Sequence, residues 1–338
     1  SVYLVDQPRR GKTGQSTVAG NISAQPNDQL WYDNFRLGKY PNLYKDVQFP
    51  KDQESLNQFF RQMTPDTGAY DKDVISDAVT KVFDKSGDGI LITHSQGGEP
   101  GWFTAIKTDK VKAIVAYEPG SGFVFPEGEE PEPIQTTSPF GALKANTIPL
   151  KDFMKLTKIP IVIYYGDNIA TEPTDEWNKD NWRIRLQMAR LWAEAINRHG
   201  GDAEVVYLPD LNIRGNTHFM FADLNKYKDK EFYESHKEVQ FDTLTEEGTY
   251  KVVYAFVTEV NKKDSFKYYE KINWNSKNEF NEYVSNLEQR KLYDTGEKIK
   301  KKDKLLTLST CEKASDNSRM VVVCKKVKSM TDNGQEDL

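Results

Sequence analysis

Gly89-Ile90-Leu91-Ile92-Thr93-His94-Ser95-Gln96-Gly97-Gly98 runs from an apolar strand, Gly89–Thr93, through a small-residue turn into a helix that continues to Ile106. A serine at such a turn is the setting of the nucleophile elbow, G-x-S-x-G. There a tight, strained turn exposes the serine, and small neighbours let strand and helix approach. Thr93 stands where that pattern has its first glycine. Outward from this point the chain alternates. Val2–Asp6 reads as a strand, and 51–62 and 70–84 as helices, the second with Val74, Ile75, Ala78, Val79 and Val82 at helical spacing. Val111–Tyr117 and Ile159–Tyr165 are apolar runs without polar alternation, as in strands covered on both faces. Trp182–His199 is an amphipathic helix stopped by Gly200-Gly201, and Ala203–Leu208 is the next strand. The proline-rich stretch 118–150 reads as a long loop or cap. Strand–helix alternation of this kind predicts a parallel sheet with helices on both faces.

A serine nucleophile needs a base, and the base needs an orienting acid. Of the four histidines, His94 lies inside the elbow, His199 ends a helix and His236 sits in a lysine-rich helical segment. His218 follows the last strand of this region, which suits the chain order serine, acid, histidine. Two carboxylates compete for the acid. Glu118 follows Val111–Tyr117, and Asp167 follows Ile159–Tyr165, where it could equally cap a turn.

The composition divides the chain. All 15 prolines lie between Pro8 and Pro209, whereas both cysteines, Cys311 and Cys324, lie beyond Pro209, so two domains are expected. After residue 226 strands dominate: Val239–Leu244, Thr249–Val260, Lys304–Cys311 and Arg319–Val327, with one helix at Asn278–Tyr293 and a polar tail, Lys328–Leu338. That pattern suggests a small barrel-like sheet. Cys311, ending a strand with Arg319 eight residues on, is a candidate for thiol chemistry, because a guanidinium can steady a thiolate or an oxyanion. A buried packing cysteine, or a Cys311–Cys324 pair, are the other readings. A net charge of −5 argues against nucleic-acid binding. No stretch approaches the length of a membrane span, and no metal-ligand spacing, phosphate loop or dinucleotide fingerprint occurs. No signal peptide is evident, and the opening SVYLVDQ places the natural start upstream.

The stretches VYLVDQPRRGKTG, GILITHSQGGEPGW, KAIVAYEPGSGFVFPEG, KIPIVIYYGDNI and IRGNTHFMFADLN resemble an α/β-hydrolase esterase, of a bacterial group whose acid is a glutamate after the strand following the elbow. The resemblance implies Ser95 as nucleophile, Glu118 as acid in preference to Asp167, His218 as base, and the Gln96 backbone N–H as one oxyanion donor. It also implies that this chain lacks the opening strands of the fold and the loop bearing the second oxyanion donor. MFADLNKYKDKEFYESHKEVQFDTL, TYKVVYAFVTEV and TLSTCEKASDNSRMVVVCKKV resemble the C-terminal part of a class B sortase, a cell-wall transpeptidase. By that resemblance Cys311 attacks a sorting-signal peptide and Arg319 stabilises the oxyanion. The histidine such enzymes require has no separate counterpart, His218 being the nearest, and the first strands of the barrel and its membrane anchor are not represented.

The fold expected is therefore α/β: an incomplete α/β-hydrolase sheet over 1–225, then a partial sortase-like β-barrel over 226–338. The resemblances overlap at Phe219–Asn225, which has no linker composition and reads as the seam of a chimera. The function expected is hydrolysis of small carboxylic esters through an acyl-enzyme, without cofactor. Phe123, Phe125 and Phe140 hint at an apolar substrate pocket. The alternatives are a cysteine transpeptidase and an inactive fusion of two truncated enzymes. Only the resemblance suggests an extracytoplasmic location.

Overall fold

The computed structural model describes residues 2–7, 28–63, 69–220, 227–241, 248–260, 265–270, 273–311 and 318–327, with the side chains of Asp28 and Cys311 excepted. Most of the expected seam, the end of the strand expected at Val239–Leu244 and the tail from Lys328 lie outside the described residues. The chain divides into two compact units, Ser1–Met220 and Phe221–Leu338.

In the first unit, α1 (Asp28–Asn34) leads into a short hairpin, β1 (Gly38–Lys39) with β2 (Asn42–Leu43). Two capped helices follow. Asp52 starts α2 (Gln53–Arg61) by accepting the Ser55 N–H, and Asp71 starts α3 (Lys72–Ser86) by accepting those of Asp73 and Val74. The elbow is β3 (Gly89–His94), a single 3₁₀ turn and α4 (Gly98–Lys107). Next come β4 (Val111–Tyr117), the short parallel pair β5 (Val124–Pro126) and β6 (Asn146–Ile148), and α5 (Leu150–Leu156). The unit closes with β7 (Pro160–Tyr165), α6 (Trp177–Arg198) and β8 (Asp202–Tyr207). The main sheet is parallel throughout, in the order β3-β4-β7-β8.

Three sequence expectations need correction. Val2–Asp6 forms no strand, and Val2 and Leu4 are 89% and 97% exposed. The stretch 118–150 is not all loop, since it contributes β5 and β6. Helices cover the main sheet on one face only, among the described residues. Ile114, Ala116, Ile161, Ile163 and Tyr165 are buried in a core with Trp102, Phe153, Trp182 and Trp192 from α4, α5 and α6. Their alternates on the other face are half-buried or exposed, Ile92 to 65%. A strand order that advances steadily in one direction puts every right-handed crossover on the same side. Apolar content alone could not reveal that.

The second unit contains α7 (Lys230–Ser235), β9 (Glu238–Gln240), β10 (Thr249–Glu259), α8 (Lys277–Arg290), β11 (Leu305–Cys311) and β12 (Ser318–Lys326). Its sheet is antiparallel, ordered β11-β12-β10-β9, with a bulge between Val252 and Tyr254. Alternate residues bury both faces. Val253, Phe256, Val321 and Val323 pack with Tyr283 and Leu287 of α8, whereas Val252, Ala255, Val322 and Cys324 pack with Tyr233 of α7. The four strands form an open ladder, so a closed barrel is not among the described elements. The whole chain is a mixed α/β structure. Among the described residues no helix is long and apolar enough to cross a membrane.

Candidate active site

The elbow takes its shape from a steric exchange between strand and helix. A Cβ built on Gly101 would lie 2.7 Å from Thr93 Cγ2, and one on Gly98 would lie 2.8 Å from Pro119 Cβ. Thr93 therefore brings bulk where the motif has glycine, and Gly101 gives up the same space from the helix. Gly101→Ala is expected to cost about 1–3 kcal/mol by overpacking, offset by about 1 kcal/mol of helix propensity. Thr93→Gly in the same chain should relieve the overpacking. A double-mutant cycle on urea midpoints measures the coupling, and additive effects would contradict the exchange.

Ser95, at the apex, has a φ of 54°. Five described non-glycine residues have positive φ, and three of them, Arg36 (59°), Ser95 and Glu118 (48°), belong to this site. Such backbone costs about 1–3 kcal/mol per residue and survives only where its surroundings enforce it. Ser95, Gln96 and His218 line one cavity of about 910 Å³ with Gln7, Phe35 and Phe219. The side chain of Gln7 donates to Gln96 Oε1 at 3.3 Å.

Glu118 directly follows β4 and is completely buried. Its Oε2 accepts from His218 Nδ1 at 2.8 Å, while Oε1 accepts from the Gly166 N–H at 2.6 Å and from Arg36 Nη2. His218 is equally buried, and among the described residues its Nε2 has no hydrogen-bond partner. A buried ring nitrogen left open is rare enough to require a reason, and proton acceptance supplies one. Four rings surround the imidazole. Phe35 stacks on it at 4.8 Å and 7°, with Trp182 and His94 at 4.5 Å and Phe219 at 5.3 Å. The Phe35 carbonyl accepts the His218 backbone N–H, and His94 Nε2 donates to the His218 carbonyl at 2.8 Å.

The electrostatics follow from that burial. Desolvation alone would push the Glu118 carboxyl up, but Arg36 and then His218 outweigh it and hold the carboxyl below its ordinary range. Burial, reinforced by His94, holds the His218 imidazole below its ordinary value of 6.5 despite the attraction of Glu118. At neutral pH the pair is thus carboxylate and neutral imidazole. Both groups bind protons more weakly in the folded chain than in the unfolded one, so the unfolded state gains protons first on acidification. Stability should be complete above pH 6.5 and fall as the pH drops below it, first through His218 and then through Glu118. His218→Phe should flatten the first part of that decline, as read by urea unfolding across a pH series.

Asp167 is elsewhere. Its carboxylate accepts the N–H groups of Gly215 and Asn168, both at 2.7 Å, and lies 3.8 Å from Arg214. It closes the turn after β7 against the 214–215 loop, and the structure sets Glu118, not Asp167, against His218. Phe123 and Phe125 are buried in the core and do not line the cavity, while Phe140 stacks on Trp31 at 6.1 Å. His199 lies 3.0 Å from Glu129, and His236 stacks on Phe232 at 3.9 Å. Phe35 and Arg36 are the site residues that sequence reading missed. Their only local signal is an arginine flanked by aromatic and apolar residues in Trp31-Tyr32-Asp33-Asn34-Phe35-Arg36-Leu37.

In the second unit Cys311 ends β11 directly opposite Arg319 on β12. Cys324 pairs with Leu306, five residues further along the ladder. At about 3.3 Å per residue the two cysteines are well beyond the ~7 Å Cα separation a disulfide tolerates. Cys324 is a buried core thiol, pushed up to about 12 by burial. Arg319 and Ser309 line a cavity of about 1090 Å³ with Tyr268, Trp274 and Lys304. Among the described residues no cluster of His, Cys, Asp and Glu could hold a metal ion.

No protein-family profile matches the chain. Over 112 residues it is 34% identical to sortase B of Listeria monocytogenes, and over 109 residues 28% identical to sortase B of Staphylococcus aureus. Each match covers 32% of this chain and 43% of the relative, so the chain spans under half the length of these curated relatives. Among solved structures, a bacterial esterase aligns with 66% of this chain and 61% of its own at 24% identity and a TM-score of 0.47. The chain is therefore similar in sequence to sortase B over about a third of its length.

Proposed function

We propose that residues 1–225 form an α/β-hydrolase-like domain that acts as a serine hydrolase of small carboxylic esters. The observation that carries this reading is the Glu118 Oε2···His218 Nδ1 contact of 2.8 Å, which leaves His218 Nε2 an open acceptor on the cavity that Ser95 also lines. Ser95 Oγ adds to the ester carbonyl while His218 Nε2 takes its proton, and Glu118 stabilises the imidazolium. The Gln96 backbone N–H faces the developing oxyanion. Expulsion of the alcohol, protonated by His218, leaves an acyl-serine, and water repeats the sequence in reverse roles.

A second reading, a sortase-like cysteine transpeptidase over 226–338 acting on a sorting-signal peptide, is favoured by the Listeria match and by the pairing of Cys311 with Arg319. The two readings together describe a chimera of parts of two enzymes. His218 does not serve both readings equally, because its Nδ1 is committed to Glu118 within the first unit.

Labelling with a fluorophosphonate and, separately, with a thiol reagent tests both. The hydrolase reading expects phosphonate mass on Ser95 that is lost in Ser95→Ala. Adduct on Cys311 alone favours the transpeptidase, and labelling of neither residue favours an inactive fusion.

A further inference from the structure

We propose that Arg36 is a positioning residue that keeps Glu118 ionised and thereby determines which ring nitrogen of His218 carries the proton. The purpose of that arrangement rests on the hydrolase reading, but its chemistry does not.

The Glu118–His218 contact can be made in two ways with the same heavy-atom geometry. A carboxylate accepts from Nδ1–H and leaves the Nε2 lone pair open. A carboxylic acid instead donates from Oε2 to Nδ1, and the single imidazole proton then resides on Nε2. The second state presents a donor to Ser95 and cannot act as a base. A carboxyl as buried as Glu118 would by itself be protonated, so something must select the first state.

The groups facing Glu118 are few. His94 is neutral and donates to the His218 carbonyl, and the Tyr165 hydroxyl donates to the Pro119 carbonyl at 2.8 Å. The Asp167 carboxylate is turned to Gly215 and Asn168. Among the described residues Arg36 is the charge directed at the carboxylate, and a guanidinium stays protonated even when fully buried. Arg36 is itself restrained, donating from Nε to the Asp167 carbonyl at 2.8 Å and lying 4.7 Å over the Trp182 ring. The same Trp182 ring packs against His218. One residue thus neutralises Oε1 while Oε2 is left for the histidine.

The test is nitrogen NMR of the full chain carrying ¹⁵N-labelled histidine, with the His218 signals assigned by their loss in His218→Gln. At neutral pH the wild type is expected to show a protonated Nδ1 and an unprotonated Nε2. Arg36→Met should exchange the two signals, and return to the wild-type pattern only at a pH high enough to ionise the carboxyl. Arg36→Lys, which keeps the charge, should retain the wild-type pattern. A folded Arg36→Met with the wild-type pattern at every pH where it is folded would overturn the proposal. If Arg36→Met does not fold, the double variant Arg36→Met/Glu118→Gln decides. Recovery of folding supports a charge role, and continued unfolding assigns Arg36 to packing on Trp182 and overturns it. These signals need no turnover, so an inert Ser95 would sink the hydrolase reading and leave this result standing. Where hydrolysis is measurable, Arg36→Met should lower kcat toward the ~10⁴-fold loss of a mis-set tautomer, with KM little changed.

Discussion

Ser95→Ala is expected to lower kcat for a small activated ester by on the order of 10⁴–10⁶, with KM nearly unchanged. The cavity, the Glu118–His218 pair and the backbone N–H of residue 96 all remain, so binding persists while the covalent route is lost. Ser95→Gly is the sharper form of the experiment. With φ at 54°, residue 95 is in the left-handed region that glycine occupies at no steric cost. The glycine variant should therefore be as inactive as the alanine variant, yet more stable than wild type by about 1 kcal/mol. Steady-state hydrolysis and thermal melting read the two effects separately. Turnover that survives Ser95→Ala would place ester cleavage elsewhere in the chain, and a less stable glycine variant would mean that the turn is not strained.

The residues most readily read from sequence are those whose context is local. The strand, turn and helix around Ser95 are consecutive in sequence, from Gly89 to Lys107, and β4, β7 and β8 match their expected bounds to within one residue, while α6 starts at Trp177, five residues before the expected Trp182. Arg36 could not be found that way. It meets Glu118 across 82 residues, and Glu118 meets His218 across 100, whereas periodicity is read over windows of about 11–18 residues. The pairing of Thr93 with Gly101 was within such a window, but nothing in a pattern of small residues says which of them face each other. The choice between Glu118 and Asp167 was open for a related reason. Each carboxylate follows a buried strand, and only the path of the 215–218 loop decides which one the histidine meets. The uncovered face of the main sheet was equally invisible, because Val111–Tyr117 has the same composition whether one face is buried or both.

In the second unit the informative relation is register. Cys311 and Arg319 are eight residues apart in sequence and directly paired across the ladder, whereas Cys324, only five residues beyond Arg319, is held in the core. Burial raises the Cys324 thiol and removes it from reagents, so Cys324 should resist a thiol reagent in the folded chain and react only on unfolding, as mass spectrometry of the labelled protein would read.

Glu118→Gln is expected to reduce kcat by about 10⁴, comparable with a triad acid converted to its amide. The amide can accept through its oxygen or donate through its nitrogen, but it carries no charge to stabilise an imidazolium. It also leaves Arg36 as a buried cation without its carboxylate, which should cost about 3–5 kcal/mol of stability. Asp167→Asn provides the contrast. Asp167 accepts two backbone N–H groups and is only partly buried, so its amide should leave the rate within the same order of magnitude and cost about 1–3 kcal/mol. The two variants therefore separate two ways in which a carboxylate beside an active site can be needed. Loss of rate in both, in proportion to lost stability, would mean that neither acts on the histidine. A large loss in Glu118→Gln that persists well below its melting temperature, with Asp167→Asn near wild type, would assign the acid to the end of β4.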